Sequence, residues 1–114
     1  MSERLWFVRS VGISFKNFKG GYLIMNTTNF NIFKEMVELA KTNDLKYLIM
    51  YSYNEIDNGN YPYIYSFVLS TELFTVTFKK KLEDNKEILN FLRDNECIKL
   101  NCDIKIDKNS IELN

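Results

Sequence analysis

The first part of the chain alternates apolar and polar positions, which is typical of β-strands. Residues 5–16 predict one long strand, or two strands joined at Gly12. The pair Gly20-Gly21 favours a turn into a further strand at 22–25. We therefore expect an N-terminal β-hairpin.

The next segment changes to a helical period. Apolar residues recur every three or four positions over residues 30–40, with charged side chains between them. Thr28 or Asn29 is placed to cap the start of this helix, and Asn43 to cap its end.

The middle of the chain returns to strand-like segments. Residues 45–54, 61–70 and 73–80 predict three strands, separated by turn-forming residues. A second helix follows near 85–94, where Asp84 begins a capping-box pattern.

The C-terminal part carries the most regular alternation in the chain, over residues 98–106. On such a strand Cys97 and Cys102 point to opposite faces, which disfavours both a disulfide bridge and a shared metal site. Cys102 is then predicted to be a small core residue in a reducing compartment. Residues 111–113 predict a last short strand.

These elements give the order ββαβββαβ and predict an α+β fold. We expect one globular domain over residues 1–114, with a largely antiparallel sheet of about five to six strands and two helices on one face. Without the first strand and one of the middle three, the order matches a ferredoxin-like core with additions. A chain of 114 residues and 13.6 kDa, 46% of it hydrophobic, is long enough to build such a core.

Tyrosine is concentrated in two of the predicted strands. Six of the seven tyrosines are Tyr47, Tyr51, Tyr53, Tyr61, Tyr63 and Tyr65. A two-residue turn at Asn58-Gly59 would place the two sets of three on opposite faces of the sheet, whereas a register shifted by one residue would place all six on one face. Because Leu48, Met50 and other apolar residues also compete for the core, we expect some tyrosines to face away from the helices.

Charge is unevenly distributed along the sequence. The net charge is zero, yet residues 1–34 carry five basic and one acidic side chain, and residues 35–78 carry two basic and six acidic. No lysine or arginine occurs over 47–78, which contains Glu55, Asp57 and Glu72. The zero therefore excludes a generally basic nucleic-acid binder but permits a directed docking surface.

Several classes of chemistry are excluded or disfavoured. The absence of histidine removes the Ser-His-Asp, Cys-His and HExxH arrangements. We expect no cofactor, no metal, no direct nucleic-acid contact and no membrane segment, and a cytoplasmic location. Lys79-Lys80-Lys81 is interpreted as a solvated strand end that guards a sheet edge.

One enzymatic alternative and one structural alternative stay open. Asp103 and Lys105 have the acid-x-lysine spacing of some metal-dependent nucleases, with Asp94 or Asp84 as a distant second carboxylate. An accessory protein that self-associates as a homodimer through a sheet edge is the second alternative.

The combination of small size, missing catalytic residues and an aromatic, acidic middle favours a protein-binding inhibitor, not an enzyme. Heavy use of Asn, Lys, Ile, Tyr and Phe suggests an AT-rich gene, as in many phages and mobile elements. We therefore expect a toxin-neutralising immunity protein or a phage anti-defence inhibitor, which occludes a basic surface of a partner enzyme. The predicted partner-binding residues are Tyr47, Tyr51, Tyr53, Glu55, Asp57, Tyr61, Tyr63, Tyr65 and Glu72.

Overall fold

A computed structural model of the chain describes residues 7–8, 13–14, 21–54, 63–82 and 86–114. Eight strands and two helices lie in these ranges. They are β1 (Phe7–Val8), β2 (Ile13–Ser14), β3 (Leu23–Thr27), α1 (Phe30–Thr42), β4 (Tyr47–Asn54), β5 (Tyr63–Thr71), β6 (Phe74–Leu82), α2 (Lys86–Asp94), β7 (Ile98–Lys99) and β8 (Ile111–Leu113).

Six of the strands form one mixed sheet in the order β7-β4-β5-β6-β3-β8. The long strands β4, β5 and β6 make an antiparallel meander at its centre. The flanks are parallel, because β3 runs parallel to β6 and β8, and β7 runs parallel to β4. The predicted α+β class, with a mostly antiparallel sheet and two helices, is confirmed.

Topology explains why both helices lie on one face of the sheet. The α1 connection runs from β3 to β4, and the α2 connection runs from β6 to β7, so both move in the same direction across parallel strands. Connections of one hand that move in the same direction lie on the same face. Contacts of Phe30 and Phe91 with Phe67 of β5 place both helices against that face, which we call the helix-side face.

The core between the sheet and the helices is built from phenylalanine. Five rings meet there with centroid distances of 5.1–6.2 Å. They belong to Phe30, Phe33, Phe67, Phe78 and Phe91. Aliphatic residues of α1, α2 and the central strands surround these rings, so the apolar stripe that predicted each helix faces the sheet.

Residues 100–110, which we call the strap, cross the opposite face of the sheet. The Lys79 ammonium of β6 contacts both carboxylate oxygens of Asp103 at 3.2 Å and donates to the Ile104 carbonyl at 3.1 Å. Farther along, the Asn26 amide of β3 donates to the Ser110 hydroxyl. The strap runs from β7 at one edge to β8 at the other, against the direction of the helical connections, so the same handedness rule places it on the strap-side face.

The structure differs from the predicted N-terminal hairpin and does not confirm the predicted order of elements. The expected hairpin of residues 5–16 with 22–25 does not form, because β1 pairs with β2 while β3 is flanked by β6 and β8. The predicted order ββαβββαβ and the ferredoxin-like core are not confirmed, since two short strands follow α2 and two strands separate β3 from β4. The capping box at Asp84 lies outside the described residues.

The predicted strand at 98–106 is also wrong, because only Ile98–Lys99 pairs with β4. The alternation has another cause: Ile104 and Ile106 both belong to the strap, and the side chain of Ile104 is buried whereas that of Ile106 is exposed. Cys102 is exposed and Cys97 packs against the core, the reverse of the prediction; both are free thiols. Lys79 does not guard an edge, because β6 lies between β5 and β3.

The caps of α1 are confirmed at Asn29 and Asn43. The Asn29 side-chain oxygen accepts from the backbone N–H groups of Asn31 at 2.9 Å and Ile32 at 3.4 Å, which satisfies two donors that the helix cannot pair itself.

Replacing Asn29 by alanine is therefore expected to lower the free energy of unfolding by about 1 kcal/mol, measured by urea denaturation. Asn31→Ala, two residues farther on in the first turn, is the matched control. It removes an amide that caps nothing, so we expect little change. Equal losses in the two variants would contradict the capping role.

Candidate functional site

The strand register decides which way the tyrosines point. Tyr53 pairs with Tyr65, and Tyr51 pairs with Phe67. Residues directly opposite each other in a sheet share a face, so this register is the one-face alternative for the strand tyrosines with described side chains, Tyr47, Tyr51 and Tyr65. That face is the helix-side face, because it also carries buried Phe67.

Tyr47, Tyr51 and Tyr65 therefore do not face away from the helices, and the expectation that some tyrosines do so stays a prediction for the others. Tyr51 and Tyr65 are half-buried and pack against the core, and the ring of Tyr51 lies 6.0 Å from that of Phe67. Their apolar competitors Leu48 and Met50 point to the strap-side face instead. Of the strand tyrosines with a described side chain, Tyr47 alone is exposed.

The predicted acidic residues are not brought together with all the tyrosines. Glu72 lies in the turn between β5 and β6, where its carboxylate accepts from the Lys46 backbone N–H at 3.4 Å. Tyr47 begins β4 near Glu72, whereas Asn54 ends this strand seven residues later, about 23 Å away along it. The predicted site residues of β4 therefore extend over the whole length of the strand. Glu55, Asp57 and Tyr61 lie outside the described residues, as do the side chains of Tyr53 and Tyr63.

An exposed apolar surface lies at the Glu72 end of the sheet. We call it the apolar patch, and its members share an accessible large side chain near the start of β4 or the β5–β6 turn. They are Tyr22, Tyr47, Leu48, Leu73 and Ile98. Leu48 is 54% exposed and Ile98 is 49% exposed, although both side chains are aliphatic.

Leu48, Ile98 and Tyr22 of the apolar patch lie on the strap-side face, whereas the register places Tyr47 on the helix-side face at the same end of the sheet. Leu48 of β4 pairs with Ser70 of β5, and Ser70 pairs with Thr75 of β6. The Tyr22 hydroxyl is 2.6 Å from the Thr75 hydroxyl and donates to the Thr71 carbonyl at 2.9 Å, which holds the tyrosine ring over this row. No charged side chain belongs to this row of the described sheet, so its surface resembles the centre of a protein interface.

A cavity of about 310 Å³ opens beside the apolar patch, between β4 and the segment that joins α2 to β7. Its lining residues are Tyr47, Leu48, Ile49, Asn95, Glu96 and Ile98. Of these six residues, Glu96 is the one with a charged side chain. The C-terminus of α2 ends directly before it, and a helix C-terminus carries partial negative charge.

A larger groove of about 650 Å³ lies on the outer side, between α1 and α2. The Lys34 ammonium pairs with Glu87 near one end, and Lys41 donates to the Asn95 side-chain oxygen at 3.1 Å near the other. These contacts bridge the helices, so we interpret the groove as the junction that holds them together.

Two of the candidate reactive side chains, Cys97 and Asp103, are influenced by their surroundings. Burial raises the pKa of the Cys97 thiol above its ordinary value, against the opposing effect of the Lys41 ammonium, which keeps the sulfur protonated and weakly nucleophilic. Asp103 is bound by Lys79 on the strap. In the ranges that the structure describes, no group of three or more Cys, Asp or Glu side chains is placed to hold a metal ion, and Asp84 of the nuclease alternative lies outside those ranges.

Comparisons with known proteins give no identification: no family model matches the chain, and neither a curated protein nor a solved structure shows a significant match. Among the described residues, no helix is long and apolar enough to cross a membrane. Function is therefore inferred from the surface of the molecule itself.

Proposed function

We propose that this protein is a stoichiometric inhibitor that binds a partner enzyme through the apolar patch and occludes a basic functional surface of that enzyme. The setting that fits this activity is an immunity protein beside its cognate toxin, or a phage protein directed against a host defence enzyme. The proposal places the protein in the cytoplasm, where its two cysteines remain reduced.

The observation that carries the proposal is the exposure of the apolar patch. Large aliphatic and aromatic side chains collected at one end of a sheet are costly to leave in water, and such patches mark protein-binding surfaces. These side chains are already about half buried, so covering the remainder against a partner contributes about 1 kcal/mol for each one. Tyr47 and Tyr22 add rigid rings with hydroxyls, a combination that is enriched at interfaces.

The acidic residues at the border of the apolar patch supply the electrostatic attraction that favours a basic partner. Glu72 and Glu96 flank it, with Lys46 as a neighbouring cation. Two of the residues predicted from sequence, Tyr47 and Glu72, thus belong to the proposed surface. Carboxylates at a rim speed association with a basic partner and select against acidic ones, whereas the apolar centre holds the complex together.

The proposal is tested by capture from an extract of the organism that carries the gene, followed by binding and activity measurements on the purified partner. Leu48→Asp introduces a charge at the centre of the apolar patch and is expected to weaken partner binding about 30-fold or more, equivalent to about 2 kcal/mol. The partner should bind at one-to-one stoichiometry and lose its activity in the complex.

Leu89→Asp is the matched control, because Leu89 is also a leucine about half exposed, at 52%, but lies on α2 outside the apolar patch. It should leave binding unchanged. Equal binding by the two variants would refute the assigned surface, and a partner that stays active when bound would refute inhibition. In the same assay, Glu72→Lys should slow association and reduce its dependence on salt.

A further inference from the structure

The cavity beside Tyr47 and Ile98 has the chemistry of a pocket for a single basic side chain. Its volume of about 310 Å³ is at the lower end of the range for small-molecule sites. A pocket of that size, open beside an interaction surface, suits one large side chain from a protein partner.

Three features of the lining match a guanidinium group in particular. The aliphatic side chains of Leu48 and Ile98 can pack against a methylene stem, as lysine and arginine stems do on apolar surfaces. The Glu96 carboxylate can accept two parallel N–H bonds from a guanidinium. Tyr47 also lines the cavity, and its side chain lies on the helix-side face of β4, opposite to that of Leu48, so a guanidinium that passes the strand edge can stack on its ring.

The backbone nearby adds to the preference for a cation. Helix α2 ends at Asp94, one residue before Asn95 enters the cavity lining, so the partial negative charge of the helix terminus lies beside Glu96. The Asn95 side-chain amide is already used, since it donates to the Phe91 carbonyl at 3.0 Å and accepts from Lys41. The Asn95 side chain is thus engaged within the protein, and Glu96 is the lining residue whose negative charge can pair with a bound cation.

We propose that this cavity receives an arginine side chain of the partner protein, with the Glu96 carboxylate as its counter-ion and Tyr47, Leu48 and Ile98 as its walls. This inference deepens the proposed function and rests on it for the identity of the partner. It assigns the acidic component of recognition to Glu96, a residue that the sequence pattern did not indicate.

The test uses the intact protein and a defined probe, the capped tripeptide acetyl-Gly-Arg-Gly-amide, in an NMR titration. We expect saturable shifts confined to the amides of residues 47–49 and 95–98, with a dissociation constant in the millimolar range expected for one side chain. The same tripeptide with citrulline in place of arginine keeps the shape and loses the charge. It should bind about tenfold more weakly, because a charge-assisted contact is lost.

Glu96→Gln should produce the same loss of about tenfold for the arginine peptide, while Glu38→Gln, an exposed carboxyl on α1 outside the cavity, should leave its affinity unchanged. Equal affinity for the arginine and citrulline peptides, or shifts that do not saturate, would overturn the inference.

The two proposals fail in different ways. If Leu48→Asp abolishes partner binding but the arginine peptide does not bind, the docking surface stands and the arginine pocket is wrong. If the peptide binds the cavity and Glu96→Gln weakens partner binding, but Leu73→Asp, in the apolar patch outside the cavity lining, does not, the pocket stands and the proposed inhibitor surface is wrong.

Discussion

Replacing Phe67 by alanine is expected to lower the free energy of unfolding by about 3 to 5 kcal/mol. Phe67 is fully buried in the central strand β5 and contacts rings from both helices, from β6 and from Tyr51. Truncation removes the transfer free energy of the ring and leaves a cavity that neighbours on rigid elements cannot fill. Domains of this size have a total stability of about 5 to 15 kcal/mol, so this single substitution should remove a large fraction of it.

Urea denaturation followed by circular dichroism measures the loss, and the exposed Leu89→Ala variant gives the baseline of a surface truncation. If Phe67→Ala does not fold, Phe67→Leu still tests the prediction, with an expected loss of about 1 to 1.5 kcal/mol. A loss in Phe67→Ala no greater than that in Leu89→Ala would contradict the central position of this ring.

Replacing Ile104 by alanine is expected to cost about 2 to 4 kcal/mol, although the residue lies in a segment without regular secondary structure. Ile104 is 6% exposed, and its carbonyl accepts from Lys79. Ser52 and Ser66 are buried although they point away from the helices, which agrees with the strap covering that part of the sheet. Losing the isoleucine side chain therefore removes the main apolar contact of the strap.

Ile106→Ala is the matched control, because it is the same substitution two residues farther along the strap at a side chain that is 41% exposed. It should cost about 0.5 kcal/mol or less. Limited trypsin digestion under native conditions supplies a second measurement: release of the strap in Ile104→Ala should accelerate cleavage after Lys105. Similar stability and similar cleavage rates in the two variants would show that Ile104 does not anchor the strap.

Short-range patterns were sufficient for most of the secondary structure. The helical period of residues 30–40 and the polar residues at Asn29 and Asn43 predicted α1 with its caps, because capping and apolar periodicity depend on neighbours within a few positions. The three central strands were predicted for the same reason. The pattern failed at 98–106, where alternating polarity reflects a strap with one buried side chain rather than a paired strand.

The candidate site was only partly predictable, because exposure in a sheet depends on register. Leu48 was assigned to the core and Tyr51 to a surface from the same alternating stretch, and a one-residue shift in the β4–β5 pairing reverses both assignments. Tyr47 and Glu72 were found by sequence. Tyr22, Leu73, Ile98 and Glu96 were missed, because they come from three separate segments that only the folded sheet brings to one end.

The sequence by itself determined the α+β class, the two helices and the caps of α1, and the concentration of aromatic and acidic residues in the middle of the chain. Those properties follow from composition and from interactions between near neighbours. The tertiary structure alone decided the parallel flanks of the sheet, the path of the strap and the exposure of Leu48. Each of these depends on pairing between distant strands, whose register and order are selected by burial and connection handedness over the whole domain.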